Sequence, residues 1–153
     1  MEQPLKDKVA LITGAGQGIG QGIALSLAKR GAKIIAVGRT LSKCEATVAL
    51  IKTRFDGEAV AIACDVGELD SLEALMNEGI GAYGRLDILI NNAVSTRIGP
   101  LLSAAIEDVQ AGFQVGPFAT LRLMQLAHPH LKAQGGGSII NMASTAAKRW
   151  DMS

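Results

Sequence analysis

The chain has 153 residues, of which 48% are apolar and 19% charged, and its net charge is +1. This length suits one domain with a real core, and the composition is typical of a soluble globular protein rather than a disordered one. The near-neutral charge without a Lys/Arg cluster argues against a nucleic-acid partner, and no apolar run approaches the roughly 20 residues that a membrane helix needs. Because the polar N-terminal segment does not resemble a signal peptide, we expect a cytoplasmic protein with no membrane partner.

Cysteine and histidine are too sparse to indicate a disulfide framework or a metal site. Cys44 and Cys64 are isolated in the sequence, and His128 and His130 flank a proline with no Cys or acidic residue beside them. We expect two reduced thiols, two histidines near a helix end and no bound metal.

Short apolar runs alternate with longer segments of helical periodicity. The pattern predicts strands at residues 9–13, 33–37, 59–63, 86–90 and 138–142, and helices at 18–30, 42–54, 69–83 and about 106–132. The predicted strands are nearly continuous in Val, Ile, Leu and Ala, as expected when both faces of a strand are covered. The alternation predicts one α/β domain over residues 1–153, a doubly wound parallel sheet with right-handed crossovers.

Several local signals mark the predicted helix ends. Ser42 and Glu45 form a plausible capping box at the start of the second helix. Gly116 and Pro117 lie within the long fourth segment, where proline removes a backbone donor, so we expect a kink or a break there. Glycines stand where the helices should stop and the chain must turn, namely Gly31, Gly57, Gly84 and Gly135 to Gly137.

A glycine-rich turn joins the first predicted strand to the first predicted helix. Residues 14–20 read Gly-Ala-Gly-Gln-Gly-Ile-Gly. Glycines allow such a turn to tighten and the backbone to approach a pyrophosphate, while the amides and dipole of the following helix attract negative charge. The position between strand and helix favours a dinucleotide site over a tight turn that binds no ligand.

The end of the second predicted strand bears on which dinucleotide is bound. NAD-binding sites of this kind place there an acidic residue that hydrogen-bonds the ribose 2′-hydroxyl, whereas residues 37–40 read Val-Gly-Arg-Thr. Arg39 can instead form a charge-assisted contact with a 2′-phosphate, which favours NADP over NAD. The alternative is that Arg39 is an ordinary solvated surface residue.

Four motifs resemble those of the short-chain dehydrogenase/reductase family, and they follow the family's order and spacing. Residues 13–20 resemble its TGxxxGIG motif, and residues 65–66 (Asp-Val) resemble its adenine-contacting pair. Residues 91–93 (Asn-Asn-Ala) resemble the start of its NNAG motif, and residues 139–144 resemble the strand that ends in its catalytic serine. The resemblance covers the whole chain and implies a Rossmann-type fold with about five of the family's strands present.

The resemblance also implies a function. Family members transfer a hydride between a nicotinamide and a small carbonyl or alcohol substrate, with a Tyr as general acid/base whose pKa a nearby Lys lowers. Ser144 would hydrogen-bond the substrate oxygen. The residues lining NADP would be Gly14, Gln17, Gly18, Ile19, Gly20, Arg39, Asp65, Val66, Asn92 and Ala93.

The sequence departs from the family pattern at several positions. The Tyr-x-x-x-Lys pair expected after Ser144 is absent, and Tyr83, the one tyrosine, lies far from that position. Gly116 occupies the position where many members have an Asn that supports a proton relay. Val94 replaces the last glycine of NNAG, and Gln17 stands where many NADP-preferring members carry Arg or Lys.

These departures lead to expectations for the chain as given. We expect a truncated product, a fragment or an incomplete sequence of a longer, homo-oligomeric enzyme, able to bind cofactor but without appreciable turnover. The fifth strand would be an unpaired sheet edge, so the isolated chain should be marginally stable and prone to aggregate.

Two other functional classes remain as alternatives. A non-catalytic dinucleotide-binding or interaction module is favoured by Gly116, and a downstream Tyr-x-x-x-Lys in frame would argue against it. An S-adenosylmethionine-dependent methyltransferase is disfavoured, because Gly38 and Arg39 supply no acid for the ribose hydroxyls.

Overall fold

The computed structural model describes residues 3–95 and 100–144, which form one parallel sheet with helices on both faces. The strands are β1 (Val9–Thr13), β2 (Lys33–Gly38), β3 (Ala59–Ala63), β4 (Ile88–Asn91) and β5 (Ser138–Asn141). The helices are α1 (Gly18–Ala28), α2 (Leu41–Phe55), α3 (Leu72–Tyr83), α4 (Ile106–Phe113) and α5 (Ala119–Ala133).

The sheet has the order β3-β2-β1-β4-β5, with every neighbouring pair parallel. Leu11 in the central strand β1 is in register with Ile35 of β2 on one side and with Leu89 of β4 on the other. This confirms the predicted doubly wound sheet. The strand order reverses between β1 and β4, and the carboxyl ends of these two strands open the crevice where ligands of such sheets bind.

The core consists of two apolar layers, one on each face of the sheet. Leu11 and Leu89 pack with Leu123 under the face that α3 and α5 cover, whereas Ile12 and Ile90 pack under α1 and α2. Every residue of β1 is therefore buried. Burial on both faces explains why the strands are continuous apolar runs rather than alternating ones.

The ends of α2 differ from the prediction. The helix begins at Leu41 with Thr40 as its N-cap, and no side chain makes a capping hydrogen bond, so the predicted Ser42–Glu45 capping box is wrong. Ser42 lies inside the first turn, where it cannot act as the cap. At the other end Asp56, not Gly57, takes the left-handed conformation, with φ of 51°.

The long fourth helical segment is interrupted as predicted. A π-helical turn at residues 114–118 separates α4 from α5 and contains Pro117. The wider turn accommodates a residue that has no backbone N–H to donate. Two smaller differences are that α3 is preceded by a 3₁₀ turn at 69–71 and that β4 begins at Ile88 rather than at residue 86.

Apolar surface is exposed at the β5 end of the sheet. Strand β5 pairs only with β4 among the described strands, and its four residues are exposed. Large apolar side chains are also exposed along α4, the π turn and α5, namely Ile106, Val109, Phe113, Phe118 and Leu121. The predicted exposed strand edge is thus present, whereas association through it stays a prediction. Within residues 3–95 and 100–144, none of the helices combines the length and apolarity needed to cross a bilayer.

A buried carboxylate joins the amino ends of β1, β4 and β5. The Asp87 side chain is 4% exposed and accepts hydrogen bonds from Arg85 Nη2 (2.6 Å), the Val9 amide (3.0 Å) and Lys8 Nζ (3.2 Å). Its own backbone carbonyl accepts from the Ser138 amide at 2.9 Å. Burial acts to raise the pKa of Asp87, but the hydrogen bonds from Arg85, Val9 and Lys8 outweigh it and lower the pKa below its ordinary value of 3.8.

We predict that Asp87→Asn lowers the free energy of unfolding by about 1–3 kcal/mol at neutral pH, because it removes the charged acceptor of these hydrogen bonds. Since the native pKa is depressed, the stabilisation is complete above the unfolded-state pKa and disappears as pH falls through the native pKa. Urea unfolding from neutral pH down to below 3.8 should therefore show the wild type and the variant converging in acid. The exposed Asp70→Asn serves as the control, and equal stability of Asp87→Asn and wild type at neutral pH would contradict the assignment.

Candidate functional site

The glycine loop leaves β1 at its carboxyl end and enters α1 in a conformation that requires glycine. Gly14 has φ of 66° and Gly18 has φ of 56°, in the left-handed region that residues with a Cβ rarely adopt. No side chain caps α1, which begins at Gly18, and its first turn contains no acidic residue. The first amides of the helix are therefore available to an anion, and the helix dipole favours one there.

Close packing requires glycine at other positions in the same loop. A Cβ on Gly20 would collide with the carbonyl oxygen of Gly14 and lie 2.5 Å from Nδ2 of Asn92. A Cβ on Gly14 would lie 2.9 Å from the same Asn92 atom. The loop, the start of α1 and the end of β4 therefore approach more closely than any larger residue allows.

Thr13 and Asn92 tie the glycine loop to β4 across the switch point. The Thr13 hydroxyl accepts hydrogen bonds from the amides of Asn92 (2.9 Å) and Ala93 (3.0 Å). In return, Nδ2 of Asn92 donates to the carbonyls of Thr13 (2.9 Å) and Gly14 (3.3 Å). Both side chains are used in fixing backbone, so the glycine loop is fastened to the residues that follow β4.

A buried threonine fastens the other side of the loop to α2. The Thr47 side chain is fully buried, and its hydroxyl donates to the carbonyl of Ala15 at 2.9 Å. The same oxygen accepts from Nε2 of Gln21 in α1 at 3.0 Å. The Ala15 amide in turn donates to the carbonyl of Val37 in β2 at 3.0 Å.

These elements surround a cavity of about 370 Å³ at the carboxyl edge of the sheet. All ten cofactor residues predicted from the sequence line it, namely Gly14, Gln17, Gly18, Ile19, Gly20, Arg39, Asp65, Val66, Asn92 and Ala93. Further residues lining the cavity include Thr40, Lys43, Cys44, Cys64, Ser95 and Val115. The structure thus brings together the ends of β1, β2, β3 and β4 with the first turns of α1 and α2.

The predicted cofactor residues differ in their exposure to solvent and in their hydrogen bonds. Arg39 and Gln17 are exposed at the mouth of the cavity, and Ile19 is 67% exposed. Val66 is buried in the core beneath the cavity, and Asp65 accepts a hydrogen bond from the Gly67 amide at 2.9 Å, which fixes the turn after β3.

The three residues that the sequence analysis discussed for proton transfer, Ser144, Tyr83 and Gly116, are not among the residues lining the cavity. Ser144 is exposed beyond the end of β5 and is not part of the cavity lining. Tyr83 ends α3, and burial followed by repulsion from Glu58 raises its pKa to about 12. A raised phenol pKa is the opposite of what a general base needs at neutral pH. Gly116 lies in the π turn, where a Cβ would meet no described atom within 4 Å.

Both cysteines at the cavity have raised thiol pKa values, which disfavour the thiolate. Burial, with a smaller contribution from Glu45, raises the pKa of the Cys44 thiol. Burial also raises the pKa of Cys64, and a hydrogen bond between Cys64 and Ser71 only partly opposes it. Both are free thiols, and no group of three His, Cys, Asp or Glu side chains in the described ranges is arranged to bind a metal.

The doubly wound sheet with a glycine loop at its switch point defines a Rossmann-type α/β protein. The family described as short chain dehydrogenase matches residues 8–151. A hydroxynaphthalene reductase of Aspergillus fumigatus is 38% identical over 145 residues, which are 94% of this chain and 52% of that protein. The chain belongs to the short-chain dehydrogenase/reductase family of oxidoreductases, and it spans about half the length of the curated relatives it matches.

Two solved structures are similar to this chain and contain different nicotinamide cofactors. An L-sorbose reductase from Gluconobacter frateurii, complexed with NADPH and L-sorbose, has a TM-score of 0.90 at 33% identity over 97% of this chain and 56% of that one. A 7α-hydroxysteroid dehydrogenase complexed with NADH and 7-oxo glycochenodeoxycholic acid has a TM-score of 0.91 at 33% identity, over 96% of this chain and 57% of that one.

Sequence reasoning assigned no role to Thr47, Gln21 or Lys43. Thr47 and Gln21 are 26 positions apart in the sequence, on two different helices, and they come into contact only in the folded structure. Periodicity indicates that position 47 faces the sheet, but a threonine there can equally be a packed side chain, so no signal in one sequence identifies its hydrogen bond to Ala15. Lys43 is one of two lysines on α2 and is distinguished only by its position beside the loop.

We predict that Gly20→Ala abolishes nucleotide binding, because its methyl group would push Gly14 and Asn92 out of the arrangement that shapes the loop. Gly22→Ala, two residues further along α1, is the matched control, since a Cβ there meets nothing within 4 Å. The control should bind as the wild type does and be slightly more stable, by up to about 1 kcal/mol, since alanine is the better helix former. Titration of each purified variant with NADPH, followed by nucleotide fluorescence, makes the comparison. Wild-type affinity in Gly20→Ala would contradict the packing argument.

Proposed function

We propose that this protein is an NADP(H)-dependent oxidoreductase whose complete form transfers a hydride between nicotinamide and a small carbonyl or alcohol substrate. Family membership supports the reaction class. The residues present fit a dinucleotide, because the open amides of α1, the close-packed glycine loop and the cavity along the strand ends provide a place for the pyrophosphate.

The preference for NADP is supported by the charge at the end of β2. Gly38 ends this strand, and Arg39 follows it at the rim of the cavity. The first turn of α2 contains no acidic residue, and Arg39 forms no ion pair with any described residue. A guanidinium that forms no ion pair with a described residue attracts a 2′-phosphate, whereas the acid that binds the 2′-hydroxyl of NAD is missing. This single observation carries the specificity proposal.

The relatives do not decide the cofactor, since one similar structure holds NADPH and another holds NADH. Specificity within the family must therefore come from residues at the adenosine end of each site. In this chain those are the residues following β2, together with Asp65 and Val66 after β3.

Each part of the site would have a separate task. The glycine loop, held by Thr13 and Asn92, would bind the pyrophosphate, and the Asp65–Val66 turn would border the adenine. The bound nicotinamide supplies or accepts the hydride. Ser144 would hydrogen-bond the substrate oxygen, as the family resemblance implies. Tyr83, with its raised pKa and its place outside the cavity, does not serve as the general acid/base.

A non-catalytic dinucleotide-binding module is the second candidate, and Gly116 favours it. The glycine replaces a polar side chain that the family resemblance associates with proton relay, although the space there would admit one. NADPH oxidation with a panel of ketones, measured at the nicotinamide absorbance on the full-length protein, separates the candidates. Steady turnover supports the oxidoreductase, and binding without turnover supports the module.

We predict that Arg39→Asp reverses the cofactor preference toward NADH. The substitution removes the attraction to the 2′-phosphate and supplies an acceptor for the 2′-hydroxyl, so NADPH affinity should fall by about tenfold or more while NADH affinity is retained or improved. Affinities of both reduced nucleotides, measured by fluorescence titration at fixed ionic strength, test this.

Arg39→Gln and Arg54→Gln form a matched pair for the same experiment, because both arginines are exposed and Arg54 lies at the far end of α2. Only Arg39→Gln should weaken NADPH binding. An unchanged preference in Arg39→Asp would show that Arg39 does not contact the 2′-phosphate.

A further inference from the structure

Lys43 reaches from α2 to the glycine loop at the mouth of the cavity. Its Nζ donates a hydrogen bond to Oε1 of Gln17 at 2.7 Å, although the two residues are 26 positions apart in the chain. Lys43 lies in the first turns of α2, four residues after Arg39, and both line the same cavity. The ammonium of this exposed side chain is therefore held beside the loop.

The loop and the base of the Lys43 side chain are in direct contact. A Cβ on Gly16 would lie 2.8 Å from Cβ of Lys43 and 3.3 Å from its backbone carbon. Only glycine at position 16 permits this approach. The backbone thus fixes where the lysine side chain starts, and the hydrogen bond to Gln17 fixes where it ends.

Two cations and a helix N-terminus supply positive charge at this position. Among the described residues, Lys43 and Arg39 form no ion pair, and the first turn of α2 has neither an acidic residue nor a side-chain cap. The positive end of the α2 dipole adds to the two side-chain charges. Glu45 is close in the chain and Asp65 lines the cavity, and within the described residues neither forms a salt bridge with Lys43 or Arg39.

We propose that Lys43 is a second specificity-determining cation, which binds the 2′-phosphate of NADP(H) together with Arg39. Gln17 is then a positioning residue, whose side-chain oxygen holds the Lys43 ammonium across the mouth of the cavity. This inference rests on the proposed NADP function and deepens it. It also gives a reason for the neutral side chain at position 17. The Gln17 oxygen accepts a hydrogen bond from Lys43, so the positive charge comes from α2 and not from residue 17 itself.

The two cations would have different tasks. A guanidinium offers a planar, bidentate contact, whereas an ammonium on a flexible stem acts as a point charge that can follow the phosphate. Lys43 can exchange its hydrogen bond with Gln17 for one with phosphate, since both partners are oxygen acceptors.

The test compares 2′,5′-ADP with 5′-AMP, which differ only in the 2′-phosphate, by calorimetric titration of wild type and Lys43→Met. We expect the variant to bind 2′,5′-ADP about tenfold more weakly, as for the loss of one charge-assisted contact, and to bind 5′-AMP within about twofold of wild type. Lys52→Met, on the last turn of the same helix, is the matched control and should leave both affinities unchanged. The affinity of Lys43→Met for 2′,5′-ADP should also depend less steeply on salt.

Gln17→Met tests the positioning role. It should weaken the binding of 2′,5′-ADP by less than Lys43→Met does. Because Gln17 acts through the lysine, the double variant should bind 2′,5′-ADP no more weakly than Lys43→Met alone. Gln17→Glu should tighten the hold on Lys43 but also repel the phosphate, so it should bind 2′,5′-ADP no better than Gln17→Met.

The outcomes separate this inference from the function on which it rests. If Lys43→Met weakened the binding of both nucleotides equally, or of neither, the proposed role of Lys43 would be wrong. The NADP proposal would still stand if Arg39→Gln specifically lost affinity for 2′,5′-ADP. A wild-type protein that binds 5′-AMP as tightly as 2′,5′-ADP would overturn the NADP preference itself.

Discussion

The side chains of Thr13 and Asn92 make four hydrogen bonds to backbone groups that join the carboxyl ends of β1 and β4, where the strand order of the sheet reverses. A doubly wound sheet opens a crevice at this point, and without a connection the turn after β1 would be free to close it or to move into solvent. The threonine satisfies the amides that follow β4, and the asparagine satisfies the carbonyls that begin the glycine loop. The two walls of the cavity are therefore joined by hydrogen bonds between these two side chains and backbone groups.

One part of the site gives the cavity its shape, and we propose that another part selects the nucleotide. Glycines at the loop permit contacts that any side chain would block, and Thr47 anchors the loop to α2 from a fully buried position. These features are suited to a pyrophosphate, which every nicotinamide dinucleotide contains. Arg39 and Lys43 are exposed residues that line the same cavity, and we propose that they distinguish nucleotides with and without a 2′-phosphate. Selectivity can therefore change through surface residues without disturbing the fold, which suits a family whose similar members hold different cofactors.

The sequence predicted the sheet and the location of the cavity well, because those features follow from strong periodic and compositional signals. Two buried faces make each strand a continuous apolar run, and the glycine loop occurs where a strand changes to a helix. The ends of helices depend on weaker local signals. The start of α2 was misassigned because Ser42 is a common capping residue, while the helix actually begins at Leu41 with Thr40 as a cap that makes no side-chain bond. Asp56, which tolerates the left-handed conformation, took the role expected of Gly57.

Contacts between distant segments could not be predicted in the same way. The Thr47 hydroxyl and the Lys43 ammonium gain their roles only when α2 packs against the loop, and a single sequence contains no local pattern for such pairs. The π turn was predictable as an irregularity from Pro117, although its type was not, because a kink, a break and a wider turn all relieve the same missing donor.

The central claim is that the backbone amides of the glycine loop bind the pyrophosphate at the start of α1. Amide chemical shifts of ¹⁵N-labelled protein, followed during titration with NADP⁺, test it most directly because each amide reports on itself. The account predicts that the largest shifts occur at residues 14–20, with a second group at residues 38–43. Saturable binding that leaves the amides of residues 14–20 unmoved while others shift would contradict it.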